Sequence, residues 1–207
     1  GAPFYALVGG PQVFASPGPR TYCALFRAHD LPSSYVPIIV NDLNAALPLL
    51  ESLGARGLSV TMPLKRSALG VAIPDDLARE TGAANTLWRQ DDGWHASNTD
   101  IRGVRIPLDM TMAEVTRVSG RDARVLILGT GGAARAAVMA CAQLRLQITV
   151  SGRNIEAASR TVGTRGNTTA WLERSHYPHD ILINATAIGG QQCPWPENAR
   201  INAQIVF

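Results

Sequence analysis

Apolar and polar positions follow two rhythms along this chain, and the change from one to the other predicts its elements. The clearest case runs from Arg124 to Gln143. Val125-Leu-Ile-Leu128 is a short unbroken apolar run, with the length and composition of a strand buried on both faces of a parallel sheet. After Gly129-Thr-Gly-Gly132 the period becomes helical, with Ala134, Ala137, Val138, Cys141 and Leu144 on one face. Gln147-Ile-Thr-Val150 predicts the next strand. The whole is a strand–turn–helix–strand unit, close to the ~30 residues of a βαβ dinucleotide fold.

The N-terminal half shows the same alternation. Phe4-Tyr-Ala-Leu-Val8 predicts a strand ending at Gly9-Gly10-Pro11, and Gln12 to Pro19 fits neither period. A helix is expected from Arg20 to His29 and a strand from Tyr35 to Val40, after which Asn41-Asp42 caps a helix carrying Leu43, Ala46, Leu47 and Leu50. Gly57-Leu-Ser-Val-Thr61 predicts a third strand, and Pro63 suits the first turn of a helix directly after it. Such alternation predicts a parallel sheet. Pro74-Asp75-Asp76 opens a short helix that Gly82 ends, and Gln90-Asp-Asp-Gly93 between Ala84–Arg89 and Trp94–Ser97 signals a hairpin. Asn98-Thr-Asp100 leads into a segment with an internal Pro107 and a helical stretch near Met112 to Val118, and Ser119-Gly-Arg-Asp122 reads as a boundary. Beyond Val150, Ile155 to Val162 reads as helix, Gly163 to Thr169 as loop, and Asp180-Ile-Leu-Ile183 as a buried strand. Cys193 to Pro196 reads as loop, and Ile205-Val-Phe207 as the start of a strand.

Composition narrows the class. Of 207 residues, 46% are hydrophobic and 17% charged, enough apolar surface for a packed core. The net charge of +3 is spread along the chain without a Lys/Arg run, which disfavours nucleic-acid binding. No apolar run approaches the ~18 residues of a membrane span, and no signal-peptide pattern opens the sequence. The three cysteines, Cys23, Cys141 and Cys193, are far apart and odd in number, so they read as reduced thiols of a cytoplasmic protein; no metal site is expected.

The glycine cluster carries the first chemistry. Gly-x-Gly-x-x-Ala between a strand and a helix lets backbone amides at a helix N-terminus approach a pyrophosphate, where the dipole favours an anion. Gly129, Thr130, Gly131, Gly132 and Ala133 are the candidate cofactor residues there. At the end of the next strand an NAD-specific fold places Asp or Glu for the ribose 2′-hydroxyl, but this chain has Ser151-Gly-Arg-Asn154. A planar guanidinium at Arg153 suits a phosphate.

Ser59-Val-Thr-Met-Pro-Leu-Lys65, Gly82-Ala-Ala-Asn-Thr86, Asn98-Thr-Asp100 and Gly129-Thr-Gly-Gly-Ala-Ala-Arg135 occur in the order and spacing of the shikimate dehydrogenases, and Asn184-Ala-Thr186 adds a fifth motif. The chain therefore resembles that family along essentially its whole length. The resemblance implies an α/β fold with an N-terminal substrate-binding domain (1–101), a connecting helix or hinge (102–120), and a Rossmann-type NADP-binding domain with a parallel sheet (121–207). It places a cleft between the two domains. It implies hydride transfer between a secondary alcohol and a nicotinamide. Lys65 resembles the catalytic lysine, which takes the hydroxyl proton, and Asp100 its partner on the same hydroxyl. Judged alone, Lys65 is a surface lysine and Asp100 an N-cap. Thr61 and Asn85 resemble the residues that bind the substrate ring hydroxyls. Gly152, Arg153 and Asn154 stand where the family has Asn-Arg-Thr for the 2′-phosphate of NADP, and Thr186 is a further cofactor residue; NADP is favoured over NAD.

Two departures qualify this picture. The family's Ser-x-Ser-Pro loop binds the substrate carboxylate, yet here it reads Phe14-Ala-Ser-Pro17, so only Ser16 retains a hydroxyl. Loss of one charge-assisted hydrogen bond weakens binding by roughly 1.5–3 kcal/mol. This loop resembles that of a divergent, shikimate-dehydrogenase-like branch, which implies quinate, an amino-shikimate or another small hydroxy acid as a substrate alternative to shikimate. The family also continues past the strand at Phe207 into C-terminal helices that return to the substrate domain, and these are absent from the sequence. That absence and the altered loop leave a second reading, a ligand sensor on the same fold that binds without turnover. A monomer or homodimer is expected, with no membrane or nucleic-acid partner.

Overall fold

The computed structural model describes residues 3–119, 122–188 and 193–206. Gly120, Arg121 and Phe207, which belong to segments read above, lie outside the described residues. The chain divides into two compact units, Gly1–Thr99 and Asp100–Phe207.

Unit 1 is built on a six-stranded sheet. Its elements are β1 (Phe4–Gly9), a 3-10 turn (Pro11–Ala15), α1 (Gly18–Ala28), β2 (Ser34–Ile39), α2 (Leu43–Ser52), β3 (Ala55–Val60), α3 (Ala68–Val71), β4 (Ile73–Pro74), α4 (Asp76–Thr81), β5 (Thr86–Gln90) and β6 (Gly93–Ser97). The strand order is β2-β1-β3-β5-β6-β4. β1 pairs in parallel with β2 and β3, but β5 runs antiparallel to both β3 and β6, so the sheet is mixed rather than parallel. The reason is the hairpin: two strands joined by the tight Asp91–Gly93 turn must run in opposite directions. Val8, Leu58, Val60, Leu87 and Ala96 of the strands close over Leu43, Leu47 and Leu50 of α2, the apolar stripe expected from the sequence. Asp42 caps α2 by accepting from the Asn44 N–H (2.9 Å), and Asp75 caps α4 by accepting from the Ala78 N–H (2.8 Å). Gly82, at φ +61°, ends α4 in the left-handed conformation.

Two local expectations change. The stretch 12–19 is not irregular: it holds the 3-10 turn and the start of α1, with Pro19 in the first turn, where its missing N–H costs nothing. Conversely, no helix begins at Pro63. Residues 62–67 form turns, and two of their carbonyls are committed elsewhere. The Met62 carbonyl accepts from the Gly10 N–H (3.0 Å) and the Gln12 side chain, and the Lys65 carbonyl from the Ala84 N–H (2.7 Å). Neither oxygen is left for a helical i+4 partner.

Unit 2 opens with α5 (Asp100–Ser119), a single helix that runs through Pro107. Then come β7 (Arg124–Leu128), α6 (Gly132–Gln143), β8 (Gln147–Gly152), α7 (Ile155–Val162), β9 (Gly166–Ala170), β10 (Ile181–Asn184) and β11 (Ile205–Val206). The five strands are all parallel, in the order β11-β10-β7-β8-β9. One face packs Val125, Ile127, Ile148 and Val150 against Ala134, Ala137, Val138 and Cys141 of α6 and against Leu108 and Val115 of α5. The other packs Leu126, Leu128 and Leu182 under Trp195. β9 replaces the loop expected at 163–169. As an edge strand with half-exposed positions, Gly-Asn-Thr-Thr-Ala needs no apolar alternation to be held by β8.

Candidate active site

In unit 2 the chain leaves β7 toward β8 and β9, then returns to the opposite side of β7 with β10. The carboxyl ends of β7 and β10 therefore flank a topological switch point, where doubly wound sheets bind ligands. The loops leaving these two strands touch there. Gly129 has φ +115°, and a Cβ on it would lie 2.6 Å from the Ala185 carbonyl oxygen and 3.1 Å from the Thr186 nitrogen, so no other residue fits. Its N–H donates to the Ser151 carbonyl (2.8 Å), tying the loop to the end of β8.

Gly131 is the N-cap of α6, without a side-chain cap, and a Cβ there would meet nothing within 4 Å. The first-turn amides at Gly132 and Ala133 thus open onto space with the positive end of the helix dipole behind them, which fits a pyrophosphate. At the end of β8 Gly152 is buried, Arg153 exposed, and the Asn154 Oδ1 caps α7 by accepting from the Ala157 N–H (2.9 Å). No carboxylate stands in 151–154, and the exposed guanidinium fits a nucleotide that carries an extra phosphate. Thr186 closes a turn instead of pointing a free hydroxyl outward. Its Oγ1 donates to Asn184 Oδ1 (2.7 Å) and accepts from the Ile188 N–H (3.1 Å), while Asn184 Nδ2 donates to the Ile188 carbonyl (2.9 Å).

In unit 1 three separated segments join by hydrogen bonds at one end of the sheet. The Ala84 N–H donates to the Lys65 carbonyl, the Val60 N–H to the Asn85 carbonyl (2.7 Å), and the Asn85 N–H to the Ser97 carbonyl (3.0 Å). Asn98 is fully buried and donates to the Ala83 carbonyl (3.0 Å) and to Thr81 Oγ1 (3.1 Å). Asn85 Oδ1 accepts from Thr86 Oγ1 (2.9 Å), the Thr99 N–H (3.0 Å) and Thr99 Oγ1 (3.1 Å), which directs its Nδ2 away from that cluster. Thr61 lies over Gly9, where a Cβ would come within 2.4 Å of its methyl, and its N–H donates to the Val8 carbonyl (2.9 Å). The 3-10 turn after β1 reaches the same neighbourhood through the Met62 carbonyl, and Ser16 follows it with Oγ accepting from the Gly18 N–H (3.1 Å). Phe14 is 64% exposed.

Unit 1 thus gathers Thr61, Lys65 and Asn85, with Ser16 following the turn hydrogen-bonded to that end. Unit 2 gathers Gly129, Thr130, Gly131, Gly152 and Thr186. Asp100 is the first residue of α5, where its charge complements the helix dipole. Two polar residues that support these sites carry no sequence signal of that role. Thr81 donates to the Ala83 carbonyl (2.9 Å) inside a motif turn, and the buried Thr161 reaches the Thr130 carbonyl (3.2 Å). Each reads from sequence as an ordinary helix threonine.

Two surface depressions, of about 340 and 260 Å³, lie elsewhere. One is lined by Glu51, Arg56 and Arg89 at the start of β3, the other by Arg124, Thr149 and Tyr177 at the starts of β7 and β8. These are the amino ends of parallel strands, opposite to where such sheets place ligands. Among the described residues no group of three or more His, Cys, Asp or Glu could hold a metal, and no helix is long and apolar enough to cross a membrane. The cysteines are unpaired, and burial pushes the Cys141 thiol up to about 12.

Comparison with known proteins gives this geometry its family. The family model described as the shikimate dehydrogenase substrate binding domain matches residues 8–87. The shikimate dehydrogenase (NADP(+)) of Syntrophobacter fumaroxidans is 35% identical over 90% of this chain and 65% of its own length. That of Ignicoccus hospitalis is 34% identical over 93% and 72%. A crystal structure of the Thermus thermophilus shikimate 5-dehydrogenase, in complex with NADP(H) and shikimate, superposes with a TM-score of 0.73 at 25% identity, covering 94% of this chain and 73% of that one. The chain spans 54–65% of the length of four of the curated relatives it matches, the Syntrophobacter protein among them. Motifs, fold and similarity agree: this chain belongs to the shikimate dehydrogenase family.

Proposed function

We propose that this chain acts in the NADP-dependent interconversion of 3-dehydroshikimate and shikimate, or of a close relative such as quinate or an amino-shikimate. The observation that carries the reading is the joining of Ser59–Lys65, Gly82–Thr86 and Asn98–Thr99 by hydrogen bonds at one end of the unit 1 sheet. Residues far apart in sequence, which match a family by motif, converge where a ligand can meet several of them at once. NADP, when bound, supplies the hydride acceptor. The chain's own residues handle the rest. Lys65 takes up the hydroxyl proton as hydride leaves the carbinol carbon and returns it in the reverse direction. Asp100 hydrogen-bonds that hydroxyl, Thr61 and Asn85 bind the ring hydroxyls, and Ser16 the carboxylate. The α6 N-terminus holds the pyrophosphate, and Arg153 the 2′-phosphate.

The exposed Phe14 supports a substrate preference shifted from shikimate itself. The test is NADPH formation by the purified protein with shikimate, quinate and a panel of other hydroxy acids, each assayed with NADP and with NAD. Turnover with at least one cyclic hydroxy acid and NADP is expected. Calorimetric binding of such an acid without turnover would instead favour a ligand sensor.

A further inference from the structure

We infer that Thr130 and Gly152 form one coupled specificity element, in which the threonine methyl keeps any side chain, and hence any carboxylate, out of position 152. The inference rests on the reading of unit 2 as a nucleotide-binding fold. Gly152 is the last residue of β8, the second strand of the βαβ unit. In dinucleotide folds the end of this strand, about 20 residues beyond the glycine loop, holds the acidic residue that accepts from the ribose 2′-hydroxyl. Here a Cβ at 152 would lie 2.6 Å from Thr130 Cγ2, with the Ala158 Cβ at 3.8 Å and the Asn154 carbonyl oxygen at 3.6 Å also close. A contact of 2.6 Å lies well inside van der Waals separation, so something must move.

The backbone of Thr130 has little room to do so. Its carbonyl shares the buried Thr161 hydroxyl (3.2 Å) with the Ala157 carbonyl (2.8 Å), and the preceding Gly129 is held by the Ser151 carbonyl on one side and pressed against the Ala185 carbonyl on the other. Relief has to come from the side chain itself. A β-branched residue fills two of its three staggered positions with heavy atoms, so only a change of rotamer would clear the space. Discrimination at the 2′ position then falls on Arg153, an exposed cation one residue further on, which favours a phosphate over a hydroxyl. NADP preference thus rests on a cation at 153 and on the lack of an acid at 152, and Thr130 opposes the introduction of one.

Four proteins test this: wild type, Gly152→Asp, Thr130→Ala, and the double variant. The readouts are melting temperature and the calorimetric Kd for NADP and for NAD. Gly152→Asp alone should melt lower than wild type and bind both nucleotides about tenfold or more weakly. The double variant should recover the melting temperature and bind NAD more tightly than NADP. Should Gly152→Asp fail to fold, Gly152→Ala with and without Thr130→Ala reads the same coupling through melting temperature. A Gly152→Asp protein that switches to NAD with an unchanged melting temperature would overturn the coupling. So would a double variant no better than the single. A wild type that binds neither nucleotide would overturn the nucleotide reading and the specificity role with it, while the melting temperatures would still decide the steric coupling.

Discussion

The residues that mark unit 2 in the sequence are glycines and small hydroxyl residues, and what they present is backbone: a helix N-terminus without a side-chain cap, and a loop at φ +115° pressed against the Ala185 carbonyl. Those that mark unit 1 present side chains, Thr61, Lys65 and Asn85, held in place by a lattice of hydrogen bonds behind them. A backbone site depends on what is missing, because an added Cβ fills it. A side-chain site depends on what is present, and on the buried polar groups that aim it. The two units should therefore fail differently when mutated.

The largest effect is expected from Lys65→Ala. Removing a proton shuttle costs roughly 10²–10⁴-fold in turnover. The substitution keeps the Lys65 carbonyl that holds Ala84, so NADP affinity should be retained while turnover falls. Steady-state kinetics beside a nucleotide titration checks this, and equal turnover of the two proteins would remove Lys65 from the chemistry. Gly129→Ala should show the converse pattern, with stability and nucleotide affinity lost together. A methyl at that φ and 2.6 Å from a backbone oxygen costs about 2 kcal/mol or more in stability. A thermal melt at wild-type temperature would show that the loop yields freely and would break the contrast between the units.

These differences also decide what could be read from the sequence. The glycine loop was legible because strand, turn and helix periods meet there, and because Gly129 has a local steric reason. Lys65 and Asn85 were legible only through motif resemblance, since nothing in their neighbours forces a role on either. The antiparallel hairpin followed from Asp91-Asp92-Gly93, but the pairing of its first strand with β3, Gly57 opposite Trp88, is a long-range choice that local pattern does not encode. β9 escaped because a half-exposed edge strand has no apolar period, and the turns at 62–67 because carbonyls that could have served a helix serve Gly10 and Ala84. Thr161 escaped for the same kind of reason: its partner, the Thr130 carbonyl, is defined only once α7 has packed beside the loop.

Asn98 sharpens the contrast at a smaller magnitude. It is fully buried, and its amide holds the Ala83 carbonyl and Thr81 Oγ1 behind the Asn85 turn. Asn98→Ala leaves a buried carbonyl without this donor and should cost about 1–3 kcal/mol. Because the amide supports the turn that carries Asn85, substrate KM should rise more than kcat falls. Chemical denaturation paired with kinetics separates the two effects, and lost stability with an unchanged KM would make Asn98 a core residue only.

The smallest effect lies at the far ends of the sheets, where each unit pairs a carboxylate with an arginine in a different setting. In unit 2, Asp180 is buried and accepts from the Arg124 N–H (2.8 Å) beside the guanidinium. In unit 1, Glu51 is exposed at the end of α2 and accepts from Arg89 Nε (2.7 Å) and Trp94 Nε1 (3.0 Å), clasping the β5–β6 hairpin. The hydrogen bond from Arg89, and then that from Trp94, hold the Glu51 carboxyl below its ordinary value of 4.5. A carboxyl depressed in the folded state contributes stability that is complete above its unfolded value and lost as pH falls through the folded one. Solvent screens so exposed a pair, so the contribution is small and salt-sensitive. Glu51→Gln should therefore melt slightly below wild type at neutral pH, and the gap should close as pH drops below 4.5 or as salt is raised. A gap that stays constant through that acid range would mean that the clasp acts through hydrogen-bond geometry alone, and the distinction between an exposed charged clasp in unit 1 and a buried one in unit 2 would lose its electrostatic basis.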